Sequence, residues 1–248
     1  MAYRYIDRFA PFDVVNLDLC SSVTTLAAEG EIPNLEAIRS LCDVQIRRRG
    51  QPWLLFLTTR VMRENLDEQT KRKLFAQILV NIAKSPEFSS AISEELGIAK
   101  DSIEAELDTG RQLDEQSWFR AYVLALSKWL LQYMMGSEYS IAVNLLPSYA
   151  YGVHAASDMV SLAYLMEPVA EPRQDASGLT KPRSQTTTCL SESDFGTQII
   201  RRISEIEDLD HRLDLDRTLK VKMFTKCAKL LATLQYDLKA YKTFALAD

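Results

Sequence analysis

The sequence predicts an α/β protein: a partial open sheet made of a parallel βαβ unit and an antiparallel hairpin, followed by a helical C-terminal extension. Three observations predict it. Residues 13–20 and 52–59 are short aliphatic runs bounded by turn formers, the pattern of strands buried on both faces. Between them the apolar residues fall at helical spacing. A strand, a helix and a strand within about fifty residues make a βαβ unit, whose handedness sets the two strands parallel. After residue 140 the period changes to β-branched and aromatic runs separated by turn formers, which reads as an antiparallel pair.

The elements follow in order. Val14, Val15, Leu17 and Leu19 make the first strand. Asn34 after Pro33 is the expected N-cap of the next helix, with Leu35, Ile38, Leu41 and Cys42 on its inner face. Arg47, Arg48 and Arg49 sit in its last turn, where cations offset the helix dipole, and Gly50 ends it. The run Pro52-Trp53-Leu54-Leu55-Phe56-Leu57 is the second strand and closes on Thr58, Thr59 and Arg60. Helices are expected over 63–84, in shorter pieces over 85–107, and over 117–135, where a mostly apolar run stops at Gly136. Residues 140–146, 147–152 and 158–168 carry the later strands. The polar Pro/Ser/Thr stretch over 171–192 reads as a flexible linker between a unit at 1–170 and a helical tail at 193–248.

At 248 residues the chain is long enough to bury a substantial core, and 25% charged with 47% hydrophobic residues is globular composition. A net charge of −5 argues against a generally basic, nucleic-acid-coating surface, although a local basic groove stays open. No stretch reaches the ~18 to 20 apolar residues that span a bilayer, and the N-terminus lacks a signal-peptide core, so the expected compartment is the cytoplasm, with no membrane partner. Cys20, Cys42, Cys189 and Cys227 are scattered without metal or dithiol spacing, and no metal site is expected. None of the eight glycines forms a phosphate-binding loop.

The motif that carries chemistry is Asn16-Leu17-Asp18-Leu19-Cys20-Ser21, an aliphatic strand ending in an amide, a carboxylate and small polar residues. With the strand, helix, strand, helix and hairpin order over residues 5–168, it resembles the carboxyl-terminal half of a class I, Rossmann-like methyltransferase that uses S-adenosylmethionine. The family's Asp-Pro-Phe-Gly-Ser pattern is matched in character only, since Leu19, Cys20 and Ser21 replace Pro, Phe and Gly. The Asn-Pro-Pro-Tyr signature is absent. The resemblance implies catalytic roles for Asn16 and Asp18, which would orient an amine or ring nitrogen, and a substrate surface of Cys20, Thr58, Thr59, Arg60, Tyr149 and Tyr151. Ligands of open α/β sheets bind outside the carboxyl ends of the parallel strands, where the strand-end members of this set gather. Methyl transfer is governed by positioning, for which an amide and a carboxylate suffice.

Structural roles compete with these. Asp18 serves equally to cap the following turn, and Thr58 and Thr59 to satisfy strand-end backbone groups. Tyr149 and Tyr151 share a strand face and can stack a base or pack at the rim. His154 and His211 have no metal spacing, and Asp208, Asp210, Asp214 and Asp216 lack the glycine turn of a calcium loop. The family's donor-binding half would precede residue 1, so the expectation is a truncated or reduced protein. It would bind no cofactor alone and would use S-adenosylmethionine only if a first half is supplied, with nucleic acid among its admissible substrates. The rival reading is a non-catalytic accessory protein that binds a protein partner, or a second copy, through its helical tail. The tail is also expected to fold back over the open edge of the first strand.

Overall fold

A computed structural model of the chain describes residues 8–19, 21–26, 32–109, 113–137, 140–153, 158–169, 191–233 and 237–245. Strand β1 (Val14–Asp18) leads to helix α1 (Pro33–Arg48) and strand β2 (Trp53–Arg60). A 3-10 turn (Arg63–Asn65) precedes α2 (Glu68–Lys84), α3 (Pro86–Leu96), α4 (Ile103–Thr109) and α5 (Glu115–Met135). Strands β3 (Ile141–Leu145), β4 (Tyr149–Tyr151) and β5 (Met159–Pro168) follow. The chain then gives α6 (Glu192–Ile203), β6 (Glu207–Asp208), α7 (Leu209–Leu215), α8 (Arg217–Thr233) and α9 (Leu238–Ala245).

The six strands form one mixed sheet. β1 and β2 are parallel, joined through α1 as the βαβ reading requires. β5 lies antiparallel beside β2, and both β3 and β4 pair antiparallel along its far side, with β6 parallel to β4. β3 and β4 act as one strand with a bulge. Leu145 faces Tyr164 while Tyr149 faces Ser161, so one strand advances one residue more than its partner. Pro147 occupies the bulge, where its missing N–H costs no ladder bond. The Ser148 hydroxyl repairs the ladder by accepting from the Ala163 N–H at 3.1 Å.

Alternation along β2 divides the sheet into two unlike faces. Trp53, Leu55, Leu57 and Thr59 are fully buried on one side, with Met166, Tyr164, Leu162 and Val160 of β5 opposite them in register. Helix α5 covers this face. Residues Ala121 to Leu126 are buried without interruption, and the Ser127 hydroxyl bonds the Tyr164 phenol at 2.9 Å. Burial of each large aliphatic side chain here contributes about 1.5–3 kcal/mol. On the other face Val14 is 53% exposed, Asn16 and Asp18 are exposed, and Leu54, Phe56 and Leu165 are half-buried.

β1 and β2 are therefore half-buried strands, which corrects the expectation of burial on both faces. The described helices α1 to α6 share a core with one face, so the apolar runs reflect packing on that side and partial shelter on the other. The hairpin is present as β4 and β5.

Local chemistry sets the helix ends. Asp67 accepts from the N–H groups of Gln69 and Thr70 to start α2, Ser85 from Phe88 for α3, and Asp114 from Ser117 for α5. Gly97 closes α3 at φ 65°, a left-handed conformation that side chains resist. Asn34 is not a cap: α1 opens on Ile32 without a side-chain cap, and the Asn34 amide donates to the Ser22 carbonyl at 3.3 Å. The Arg49 guanidinium turns away from the helix end to Asp13 at 2.6 Å and to the Pro52 carbonyl.

α6 carries a Ser191–Asp194 capping box and buries Phe195, Ile199, Ile200 and Ile203 against α3, α5 and β3. This tail helix thus packs at the sheet's far side, and β6 extends the edge beyond β4. The described tail does not take up the place beside β1 that the sequence reading gave it. Of the linker expected over 171–192, residues 171–190 lie outside the described residues, while Ser191 and Glu192 already cap and open α6.

Candidate functional site

The expected site residues converge on one sheet edge but divide between its faces. Pairing registers place Asp18, Thr58, Ser161 and Tyr149 side by side across four strands on the open face, with the Thr58 hydroxyl 3.3 Å from that of Ser161. Arg60 and Tyr151 flank Met159 in the next row, and Asn16 lies one pleat back beside Phe56. Tyr149 is 41% exposed. Six of the eight expected residues therefore share one face.

Thr59 does not belong to that set. It points into the core at 0% exposure, where its hydroxyl accepts the Val23 N–H at 2.7 Å and fixes the turn after β1. Alternation alone requires this, because Thr58 and Thr59 cannot face the same way. Cys20 and His154 lie outside the described residues, and His211 is an exposed residue of α7.

The chain past β1 is held by buried hydroxyls. Ser22 reaches Thr24 at 2.8 Å and the Tyr122 phenol at 3.2 Å. Burial raises the Tyr122 phenol above its ordinary pKa, against the pull of the Ser22 and Thr24 hydrogen bonds, so it stays a neutral hydrogen-bonding post. No helix among the described residues is long and apolar enough to cross a membrane. No cluster of three or more potential metal ligands occurs among them either.

On the helix-covered side of the same edge lies a cleft of about 650 Å³, within the size range of small-molecule sites. Its floor is Val61 and Met62, just beyond β2, with Ala150 of β4 and Asp158 immediately before β5. The first turns of α5 bring Trp118, Phe119 and Arg120 to one wall, and Ile203, Ile206 and Asp208 close the other. Trp118 is anchored through its indole N–H to the Val61 carbonyl at 3.2 Å, with the Arg63 guanidinium 4.9 Å above its ring.

The two arginines of the cleft are held by the protein itself. Arg63 donates to the carbonyls of Leu113 and Asp114, and Arg120 donates to the Glu95 carbonyl at 2.8 Å and forms an ion pair with its carboxylate at 3.2 Å. Burial raises the Glu95 carboxyl while Arg120 opposes the rise. Glu64, Glu115, Asp158 and Asp208 leave the lining rich in carboxylate. Asp158 is buried, accepts the Val153 N–H at 2.7 Å, and has a carboxylate oxygen 3.8 Å from Arg60 Nε. That contact joins the open-face row to the cleft.

None of the eight expected residues lines the cleft. The available signal was Asp114-Glu115-Gln116-Ser117-Trp118-Phe119, an N-cap followed one turn later by two aromatics, which keeps the rings near the start of the helix.

Fold and site together define an α/β protein with a one-sided mixed sheet and a ligand-sized cleft at its parallel strand ends. A family model described as PP_RS20740-like matches residues 1–246, and the chain belongs to that family. No curated protein and no solved structure matches it.

Proposed function

We propose that this chain is the acceptor-binding half of a methyltransferase-like fold, with the strand-end cleft taking an amine-bearing substrate such as an amino nucleoside or nucleotide. The observation that carries this reading is the coincidence at one sheet edge of Asn16, Asp18 and Arg60, on two parallel strands, with an aromatic cleft whose four carboxylates outnumber its two arginines. The strand order supports it too, since a parallel βαβ unit followed by helices and an antiparallel hairpin is the order the resemblance implies. In this reading Asp158 and its neighbours accept hydrogen bonds from an exocyclic amine, Trp118 and Phe119 shelter the ring, and the contact of Asp158 with Arg60 links the cleft to Asn16 and Asp18 on the open face of the sheet. S-adenosylmethionine would supply that methyl group once a first-half domain is present, and this chain alone does not hold it.

Two titrations test the proposal. Trp118 emission should change with adenosine or cytidine and not with uridine, with the change lost in Trp118→Phe. Calorimetry of the chain with S-adenosylmethionine should show no binding. Indifference of Trp118 to every amino nucleoside would overturn the acceptor assignment, and micromolar donor binding would overturn the divided site.

A second reading, a non-catalytic accessory protein acting through its tail, is favoured by one observation. Helix α8 buries only Ala228, while Leu215 and Leu230 are 74% and 69% exposed. Unaltered partner capture by a chain ending at Leu215 would count against it.

A further inference from the structure

Residues 217–245 carry Arg217, Lys220, Lys222, Lys226, Lys229, Lys239 and Lys242 against the single acid Asp237, in a chain whose overall charge is −5. This segregation concentrates on one helix face. In α8, Lys222, Lys226 and Lys229 stand at i, i+4 and i+7, which at 100° per residue places them within about 60° of arc and over about 10 Å of helix. All three are exposed, and none has an ion-pair partner among the described residues. Lys220, on the opposite side of the helix, is instead taken by Asp214 at 3.5 Å. Like charges at this spacing destabilise a helix by a few tenths of a kcal/mol per pair, and α8 contains no acid to relieve them.

We propose that the outer face of α8 binds the phosphate backbone of a nucleic acid. This does not depend on methyl transfer and holds even if the cleft takes another ligand. The inner face of α8 is already engaged, with Ala228 buried and Phe224 turned edge-on to Tyr241 of α9 at 6.4 Å. The exposed aliphatics Val221 and Leu230 fall on opposite flanks of the lysine stripe, so there is no continuous apolar face to enter a bilayer. A protein interface of useful affinity buries a packed aromatic or apolar cluster, whereas Val221 and Leu230 are single aliphatics separated by the stripe. What it presents is evenly spaced ammonium groups, the chemistry that phosphate contacts require. The acidic remainder of the molecule confines the contact to this helix and makes the footprint short.

The test uses the full chain and fluorescein-labelled single- and double-stranded oligonucleotides, followed by anisotropy between 50 and 200 mM salt. Each lysine–phosphate contact contributes about 0.7 to 0.9 to the slope of log affinity against log salt. The Lys222→Gln/Lys226→Gln/Lys229→Gln variant should therefore lose about 2 to 3 from that slope and bind more weakly at 50 mM salt, with an unchanged thermal melt. Arg72→Gln/Lys73→Gln, which removes two exposed cations from α2, should match the wild type. Comparison of the two oligonucleotides assigns the strandedness. Absence of binding at 50 mM salt, or a triple variant with the wild-type slope, overturns the proposal. Equal retention on phosphatidylserine vesicles or polyglutamate also overturns it, by reducing the stripe to a generic polycation.

Discussion

Lys128 should make the stability of this fold rise with pH across the neutral range. Its side chain is fully buried in the middle of α5, beneath α6, where Nζ meets the Glu192 carboxylate and lies 5.6 Å from the centre of the Phe88 ring. Burial, with a smaller contribution from the charge on Lys84, lowers its pKa from 10.5 to about 7, although Glu192 pulls the other way. Between pH 7 and 8.5 the unfolded chain keeps this proton. The folded chain holds about half of it at pH 7 and almost none at pH 8.5. The unfolded state thus binds more protons and stability increases with pH, by about 1.5 kcal/mol over that interval for a shift of this size. Lys128→Met keeps the stem and removes the titration. Urea unfolding of both proteins at pH 7.0 and 8.5 measures the difference. If the variant shows the same pH-dependent gain as the wild type, Lys128 is charged in the fold throughout and the burial argument fails.

Two further outcomes follow from the core. Leu55→Ala, at 0% exposure, should lose about 2–5 kcal/mol in denaturant unfolding, whereas Val14→Ala on the open face should stay within about 0.5 kcal/mol of the wild type; equal losses would contradict the one-sided sheet. Gly196→Ala should destabilise by about 1 kcal/mol despite alanine's better helix propensity, because the added Cβ would stand 2.9 Å from the Phe88 ring and 3.4 Å from the Lys128 stem. A raised melting temperature for that variant would show that Phe88 can move aside.

Much of the architecture was readable because its signals are local. Aliphatic runs ending in turn formers gave β1 and β2, and a continuous apolar stretch gave α5. Their parallel arrangement followed from the handedness of the connection. The insertion of β5 between β2 and β4 was not readable, because strand order depends on pairings far apart in the chain. The two-faced character of β2 was hidden for a related reason. Leu54 and Phe56 are as apolar as Leu55 and Leu57, so composition could not show that only one side meets helices. In the site, strand alternation was sufficient to separate Thr58 from Thr59. Only the α5 aromatics of the cleft had a local signal; the cleft itself joins α5, Ile203 of α6, Ile206 and Asp158, which the folded topology alone brings together.

The row of Asp18, Thr58, Ser161 and Tyr149 also works as a ruler. Neighbouring strands lie about 4.8 Å apart, so three strand spacings separate the carboxylate of Asp18 from the ring of Tyr149 by roughly 14 Å at backbone level. Backbone ladders hold that distance, and no side-chain rotation closes it. A single nucleoside or small amine can touch one end of the row or its middle, but not both ends. Any molecule that engages Asp18 and Tyr149 together must be extended, several groups long and laid across the strands. Substitutions at the two ends should therefore weaken such a ligand by independent, additive amounts, while for a small ligand only one of the two would be felt.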